Sequence, residues 1–344
     1  MNEFFALGLG VGTVNARGQW LEAYFPEPRH PVPASLAEAL GRAVGWRGGN
    51  AAVPLDRPRL VALATAAAGS GDRATAELAR RCLGSRRQPV LVLLERDEPP
   101  ASVPEAYLKL HLLSHRLVRP HGLNLQGLFA LLPTVAWTAD GPVDLEELPE
   151  RQLRARLEGR LLAVRSVDKF PPMADYVIPK GVRIADTARV RLGAWLGEGT
   201  TVMHEGFVNF NAGTEGPNMV EGRISAGVTV GAGSDLGGGS STMGTLSGGG
   251  EIVISVGRDC LIGANAGIGI PLGDRCTVEA GLYVTAGTKV VLLDEEQRPV
   301  RTVKARELAG QSDLLFRRNS LTGAVECLTN RKAAALNEAL HAHN

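Results

Sequence analysis

The chain has 344 residues, a formal net charge of +1, 5% aromatic residues and 42 glycines. Its length allows two or three domains with a sizeable core. The balanced charge argues against binding to nucleic acid or to an anionic membrane, since each needs a basic surface. The glycine content is about twice the usual share, which predicts tightly turning backbone rather than a large α/β core.

The first residues, MNEFFALGLGVGT, lack the basic segment of a secretory signal, and no apolar stretch reaches membrane-spanning length. Cysteines are few and scattered, without a CxxC pair, at Cys82, Cys260, Cys276 and Cys327. This pattern favours buried free thiols in a reducing compartment over a disulfide framework or a zinc site. We therefore expect a soluble, cytoplasmic protein.

Residues 1–176 are predicted to form an N-terminal α/β domain. Helical patterning occurs at residues 35–45, 74–84 and 105–118, and PVLVLLE at 89–95 is typical of a buried strand. The early GLGVGT departs from the GxGxxG phosphate loop, so we favour a hairpin there.

His111 and His115 lie one helical turn apart, a spacing that can bind a metal ion. No third ligand and no HExxH glutamate accompanies them. We therefore interpret both as helix-surface or helix-packing residues.

From residue 177 an internal repeat appears, because aliphatic residues recur every six positions. The repeated positions are Ile184, Val190, Leu196, Val202 and Val208, then Ile224, Val230 and Leu236, then Val256, Ile262 and Ile268, and finally Leu272, Val278, Val284 and Val290. Period six matches neither an amphipathic helix nor an alternating strand. It is typical of a triangular coil with one inward aliphatic per side. We predict a mainly β fold, a left-handed parallel β-helix of hexapeptide repeats over residues 177–290.

Two interruptions, at TEGPNM (214–219) and at residues 241–252, are predicted to leave the coil as loops. A small C-terminal β/α extension should follow over 291–344. Its predicted strands are at 300–310 and 316–328, around an Asn-Ser/Thr-Gly turn, and a short helix ends the chain at 331–344. His341 and His343 are interpreted as tail residues.

Three classes of function suit such a coil. Acyl transfer from a CoA or carrier thioester is its commonest use. A carbonic-anhydrase-like coil needs three histidines on zinc, whereas the repeat region contains only His204. A non-catalytic coil would not need Glu221 and Arg223 on an extruded loop, but the sequence leaves that alternative open.

Longer runs carry a more specific resemblance. They are MHEGFVNFNAGTEGPNMVEGRIS, SDLGGGSSTMGTLSGGGEIVISVG, GANAGIGIPLGDRCTVEAGLYVTAGTKV, DLLFRRNS, AYLKLHLLSHRLVRPHGLNL and SVDKFPPMADYVIP. These runs closely resemble the tetrahydrodipicolinate N-succinyltransferases, in the longer form of Gram-negative bacteria. The resemblance implies a homotrimer. We expect active sites between neighbouring subunits, because the two interruptions are predicted to leave the coil and would need a partner surface. It also implies transfer of a succinyl group from succinyl-CoA to tetrahydrodipicolinate, in lysine and diaminopimelate biosynthesis. A different amine or acyl donor is the alternative.

The resemblance assigns the catalytic role to Glu221. That residue could act as a nucleophile that forms an acyl anhydride, or as a general base for the attacking nitrogen. An anhydride must be shielded from water, so we favour the base. Arg223, which follows two residues later, suits a carboxylate of the substrate.

The resemblance also implies a structural magnesium ion held by Glu205. In a trimer this residue would meet its two copies on the three-fold axis, and the three carboxylates would repel one another without a cation. Some shorter relatives add an aspartate where this chain has Ala188, so the metal shell is expected to be thinner here.

The remaining residues implied by the resemblance bind succinyl-CoA or the second substrate. Small residues let the thin pantetheine arm approach the backbone, and cations hold carboxylates and phosphates. With Arg223 they are Gly238, Ser241, Ala264, Glu279, Ala280, Gly287, Lys304, Arg317, Arg318, Asn319 and Ser320.

Overall fold

The computed structural model of the chain describes residues 3–244 and 252–329. Backbone contacts divide it into two compact units. The first comprises the described residues up to Val118, together with Gly122–Pro171 and Asp175–Val177. The second comprises Arg119–His121, Pro172–Ala174 and the described residues from Ile178 onward. The segment from residue 291 therefore clusters with the coil instead of forming a unit of its own.

The first unit is a mixed α/β fold. Its main sheet is antiparallel, with strands in the order Trp20–Tyr24, Ala6–Val14, Gln88–Leu94 and Ala51–Pro54. A three-stranded antiparallel sheet is formed by Gly141–Asp144, Val135–Thr138 and Val164–Asp168, and Glu3–Phe4 pairs with Val32–Pro33. Its helices are Ala34–Ala43, Arg57–Gly69, Arg73–Cys82, Val103–Ser114, Leu128–Leu131 and Leu148–Leu157. A 3₁₀ turn spans Met173–Asp175, of which only Asp175 belongs to this unit.

Local sequence explains most of these elements. Apolar residues of the main sheet and its helices, such as Leu9, Leu40, Leu63 and Leu91, form one buried cluster. The GLGVGT segment lies within the strand Ala6–Val14 of a hairpin, and its glycines do not form the turn. At Gly10 a Cβ would stand 2.0 Å from the Tyr24 carbonyl oxygen, so the close approach of the two strands requires glycine.

His111 is fully buried in the helix Val103–Ser114. Its Nε2 accepts a hydrogen bond from the Phe25 backbone N–H at 3.3 Å, so Nδ1 carries the proton and donates to the Tyr107 carbonyl at 2.7 Å. Burial lowers the pKa of His111 to about 3. The residue thus joins the helix to the sheet as a neutral imidazole.

The second unit is a left-handed β-helix of three parallel sheets. One sheet contains Arg183–Ile184, Thr200–Val202, Asn218–Val220, Asp235–Leu236, Leu261–Ile262 and Thr277–Val278. The second contains Trp195–Leu196, Gly213–Thr214, Thr229–Val230 and Ser255–Val256. The third contains Phe207–Val208, Arg223–Ile224, Ser241–Thr242, Gly267–Gly269 and Tyr283–Thr285. A 3₁₀ turn spans Thr187–Arg189 in the first coil.

The prediction that TEGPNM leaves the coil is wrong. Thr214 and Val220 are buried inward positions, in register with Leu196 and Val202 of the preceding coil. Thr214 occupies an aliphatic position because its hydroxyl is hydrogen-bonded to Thr200 Oγ1 at 2.8 Å inside the coil. The period of six therefore continues to Val220.

The irregularity lies after Val220, where the next inward residue, Ile224, comes four positions later instead of six. Glu221 and Arg223 accordingly lie on this shortened side of the coil and not on an extruded loop. The second predicted interruption is present, because the inward residues Thr242 and Val256 are fourteen positions apart. Residues 245–251 within it lie outside the described residues.

The chain after residue 288 extends the first sheet of the coil. Lys289–Leu293 pairs with Pro299–Lys304, and Leu314–Arg318 pairs with Val325–Thr329, both antiparallel. A 3₁₀ turn at Ala305–Leu308 separates the pairs. Phe316 is in parallel register with Val278 and takes the next inward position. The predicted helix at 331–344, with His341 and His343, lies outside the described residues.

All four cysteines are free and buried, which confirms the prediction from their spacing. None of the helices in the described ranges combines the length and the apolar character needed to cross a membrane.

Gly213→Ala should destabilise the coil, because the added Cβ would stand 1.8 Å from the Trp195 carbonyl oxygen of the adjacent coil. We expect the free energy of unfolding to fall by roughly 2–3 kcal/mol, measured by urea denaturation. Gly287→Ala is the matched control, since nothing lies within 4 Å of its Cβ position. Equal stability of the two variants would contradict this packing.

The buried His111 predicts a pH dependence of stability. Its pKa is about 3 in the folded chain and roughly 6.5 in an unfolded one. The unfolded state therefore binds more protons between these values, and stability falls as pH falls. From pH 7 to 5 the wild type should lose about 2 kcal/mol more than His111→Gln, measured by urea denaturation at each pH. Parallel pH profiles would contradict the assignment.

Candidate active site

Glu221 lies at a corner of the coil, directly after the strand Asn218–Val220. Its backbone N–H donates to the Leu236 carbonyl at 2.9 Å, and its own carbonyl accepts from the Gly239 N–H at 3.2 Å. These bonds to the next coil fix the backbone, while the side chain is half-buried. A Cβ at Gly238 would lie 3.4 Å from Glu221 Oε2, so the carboxylate faces a backbone without side-chain bulk.

The same corner recurs in each following coil, because the inward residues before it are stacked in register. Val220 pairs with Leu236, Leu236 with Ile262, Ile262 with Val278 and Val278 with Phe316. The residues just after these positions therefore form one line along the coil, which we call the Glu221 corner. It contains the predicted site residues Glu221, Gly238, Ala264, Glu279, Ala280, Arg317 and Arg318.

Four steps between neighbouring strands separate the two ends of the Glu221 corner, a length of roughly 19 Å. Hydrogen bonds continue along it, since Glu279 N–H donates to the Phe316 carbonyl at 2.9 Å and Arg318 N–H donates to Glu279 Oε2 at 2.6 Å. Between the ends the line carries the small residues Gly238, Ala264 and Ala280, together with Glu279, whose carboxylate is held by the Arg318 N–H. The result is a narrow track of small residues with a carboxylate at one end and a basic residue at the other.

The adjacent side of the coil adds a second group. Arg223 is in register with Ser241, Ser241 with Gly267, and Gly267 with Tyr283. Arg223 is exposed. Tyr283 is a neighbour of this group that was not predicted from the sequence. Its ring lies so close to Gly267 that a Cβ on that glycine would be 2.2 Å from the ring. Tyr283 belongs to an otherwise ordinary repeat unit, so only the register between coils indicates its position.

Gly287 and Lys304 form a separate pair near the end of the coil. The Ala305 N–H donates to the Thr288 carbonyl at 2.9 Å, and the Arg306 N–H donates to the Ala286 carbonyl at 3.2 Å. Lys304 is exposed, and its backbone N–H is held by Glu307 at 2.9 Å. The structure brings these two residues together but does not put them on the Glu221 corner.

Two of the predicted ligand residues already have partners. Arg317 Nε donates to Glu326 Oε2 at 2.9 Å, and Asn319 Nδ2 donates to Glu326 Oε1 at 2.7 Å. The Asn319 amide and the Arg317 guanidinium lower the pKa of the Glu326 carboxyl. Both therefore stabilise the hairpin around the turn at 319–324, whereas Arg318 and Ser320 remain exposed.

Glu205 lies on the same corner as Glu221, one coil earlier. Val202 pairs with Val220 and Phe207 with Arg223, and these pairs bracket the two glutamates. The side chain of Glu205 is exposed. Across residues 3–244 and 252–329, no group of three or more His, Cys, Asp or Glu is arranged to hold a metal ion.

Comparisons with known proteins agree with this geometry. Residues 253–286 match the family model for the hexapeptide repeat of succinyltransferases, and residues 132–171 match the model for the middle segment of tetrahydrodipicolinate N-succinyltransferase. The coil and its corner thus define a hexapeptide-repeat acyltransferase.

Relatives over the full length give the particular family. A 2,3,4,5-tetrahydropyridine-2,6-dicarboxylate N-succinyltransferase of Pseudomonas putida is 65% identical, over 100% of this chain and 99% of that protein. The enzyme of that name from Vibrio cholerae is 59% identical over 99% of both chains. The chain belongs to the tetrahydrodipicolinate N-succinyltransferase family, which confirms the resemblance seen in the sequence.

A solved structure supports the same assignment. A 2,3,4,5-tetrahydropyridine-2-carboxylate N-succinyltransferase from Campylobacter jejuni matches with a TM-score of 0.88 and 34% identity. The match covers 97% of this chain and 94% of that one. The predicted left-handed β-helix is therefore confirmed as the fold of the second unit.

Proposed function

We propose that the chain transfers the succinyl group of succinyl-CoA to tetrahydrodipicolinate, giving N-succinyl-2-amino-6-oxopimelate and CoA for lysine and diaminopimelate biosynthesis. The observation that carries this proposal is the Glu221 corner, in a chain that matches its relatives over almost the whole length. Succinyl-CoA is the cosubstrate, and its pantetheine arm would lie along the small residues of the corner.

In this proposal Glu221 is a general base. Water adds to the C=N bond of the acceptor, and the ring nitrogen then forms an amide bond to the succinyl carbonyl carbon while the C–S bond breaks. Glu221 accepts the proton of the nitrogen and returns it to the departing CoA thiolate. The ring bond between the nitrogen and the hydroxyl-bearing carbon then breaks, that carbon becomes the ketone, and the hydroxyl proton passes to the amide nitrogen, which gives the open-chain product. The neighbouring Gly238 leaves the carboxylate accessible, because no side chain covers it from that position.

Cations recognise the carboxylates of both substrates. Arg223 begins one side of the coil, two residues after Glu221, and is exposed toward a ligand. Lys304, Arg318 and Ser320 are also exposed and suit the phosphates or the terminal carboxylate of succinyl-CoA. Glu279 acts through the backbone of Arg318, and Arg317 and Asn319 act by stabilising the hairpin that carries Ser320.

A homotrimer follows from the same proposal. If Glu205 faces its copies on a three-fold axis, Glu221 lies near a neighbouring subunit, because the two glutamates occupy the same corner of successive coils. One exposed carboxylate per chain, with waters, suits Mg²⁺. The ion would neutralise the three carboxylates and hold the trimer together. We also propose that the enzyme works in the cytoplasm, where its free thiols stay reduced.

The choice of acyl donor tests the function. Initial rates with tetrahydrodipicolinate should be at least about tenfold higher with succinyl-CoA than with acetyl-CoA, because a donor without the terminal carboxylate leaves its cationic partner unpaired. A preference for acetyl-CoA would contradict the assignment of succinyl-CoA as the cosubstrate and would favour a different acyl donor.

Glu221→Gln should lower the turnover rate by about 10²–10⁴-fold, the usual contribution of a general base. Binding of succinyl-CoA, measured by calorimetry, should be retained because the amide keeps the shape of the side chain. Glu198→Gln, an exposed glutamate on another part of the coil, is the control and should keep normal turnover. Near-normal turnover of Glu221→Gln would remove this residue from the chemistry.

Glu205→Ala should reduce bound magnesium and weaken the trimer while changing turnover per intact trimer by less than about threefold, since the residue supplies no reacting group. Metal analysis and analytical ultracentrifugation measure the first two effects. Loss of turnover in an intact, metal-containing trimer would show that Glu205 takes part in catalysis instead.

A further inference from the structure

The first unit contains a cavity whose lining includes no residue of the Glu221 corner. Its volume is about 520 Å³, and it lies between the strand Trp20–Tyr24 of the main sheet and the three-stranded sheet. Residues from both sheets line it, together with Arg87, Asp175 and Tyr176. We call it the Glu22 pocket, because Glu22 is its most buried charged side chain.

Glu22 is 7% exposed and accepts hydrogen bonds from two hydroxyl groups. Thr13 Oγ1 donates to Oε1 at 2.6 Å, and Tyr176 O–H donates to Oε2 at 3.2 Å. No basic side chain of the described residues makes a salt bridge with it. Burial raises the pKa of the Glu22 carboxyl, although the Thr13 and Tyr176 hydroxyls and the charge of Arg87 oppose this. A buried carboxylate without a direct ion pair is costly, and a ligand ammonium group would relieve that cost.

Two guanidinium groups line the same pocket. Arg87 donates to the Thr13 hydroxyl and, at 2.9 Å, to the Asp140 carbonyl. Arg165 pairs with Asp175 at 2.8 Å. A guanidinium has five N–H donors in a planar fork, so both retain donors for an incoming carboxylate.

The rest of the lining is apolar or aromatic. Val11, Trp137 and Pro142 contribute apolar surface, and Tyr24 stands half-exposed at the rim. The pocket therefore offers the carboxylate of Glu22, two guanidinium groups, a second carboxylate at Asp175 that is already paired with Arg165, and an apolar wall. A simple anion would meet the Glu22 carboxylate, and a simple cation would meet two arginines.

We infer that the Glu22 pocket binds a free α-amino acid, with its ammonium group on Glu22, its carboxylate on Arg87 or Arg165, and its side chain against Val11 and Trp137. A zwitterion satisfies both signs of charge in one small molecule. The inference depends on neither the acyl donor nor the role of Glu221, so each can fail separately.

Isothermal titration of the full chain tests the pocket with L-leucine, L-lysine and L-glutamate. At least one should bind saturably, with a Kd below about 1 mM. For L-leucine, isoamylamine lacks the carboxylate and 4-methylpentanoate lacks the amine. Each analogue should bind at least about tenfold more weakly than the amino acid, because each leaves one charged group of the pocket unpaired. The absence of saturable binding by all three amino acids would overturn the inference.

Two variants locate the site. Glu22→Gln should weaken binding of that amino acid at least about tenfold by removing the partner of its ammonium group. Ala139 is an exposed lining residue, so Ala139→Trp should fill the pocket and abolish binding without disturbing the core. Glu38→Gln, on the helix Ala34–Ala43, is the control and should bind normally. Undiminished binding by Ala139→Trp, or an amine that binds as tightly as its amino acid, would overturn the inference.

Discussion

The stacking of inward side chains from coil to coil is the constraint on which the rest of the second unit depends. Each coil places one residue per side in the interior, and parallel backbone pairing holds that residue directly over its counterpart, as with Val220 over Leu236. Because the interior is in register, the residues just outside it are also in register. The Glu221 corner is a consequence of this stacking and needs no separate folding element.

The position of Glu221 depends on a departure from the regular coil. The side between Val220 and Ile224 is two residues shorter than a regular six-residue side, which places Glu221, Gly222 and Arg223 on one short turn. Gly222 is required there, since a Cβ would lie 2.1 Å from Ser240 Oγ. The tight turn brings the carboxylate residue Glu221 and the cationic residue Arg223 close together in the chain. Backbone hydrogen bonds fix both residues to the next coil.

Charge is distributed differently in the two units. On the coil, Arg223 and Lys304 are exposed, whereas Arg317 is held by the buried Glu326. In the first unit the buried acid Glu22 is held by hydroxyl groups, and guanidinium groups line the same cavity. The net charge of the whole chain is nearly zero, yet each unit has its own arrangement of charged groups. The exposed cations of the coil suit an anionic acyl carrier, and the mixed charges of the Glu22 pocket suit a small zwitterion.

The sequence by itself determined the coil. The six-residue period and the segments that resemble the tetrahydrodipicolinate N-succinyltransferases can both be read from neighbouring residues along the chain. It also determined the helix Val103–Ser114 and the strand Gln88–Leu94, and it marked Glu221 as a candidate for catalysis. Only the tertiary structure decided which residues of different coils are neighbours. Glu221 and Arg318 are almost a hundred positions apart, and insertions between coils alter the spacing, so only the backbone pairing aligns them on one corner.

The tertiary structure also decided the position of polar residues. Thr214 and Asn218 resemble loop residues in the sequence, yet both are buried, because Thr200, Gly231 and Ser234 of the coil satisfy their hydrogen bonds. Glu22 is similar, since its partners Thr13 and Tyr176 are widely separated along the chain. A period of apolar residues shows which positions face inward, but a buried polar group is stable only with partners that the folded chain supplies.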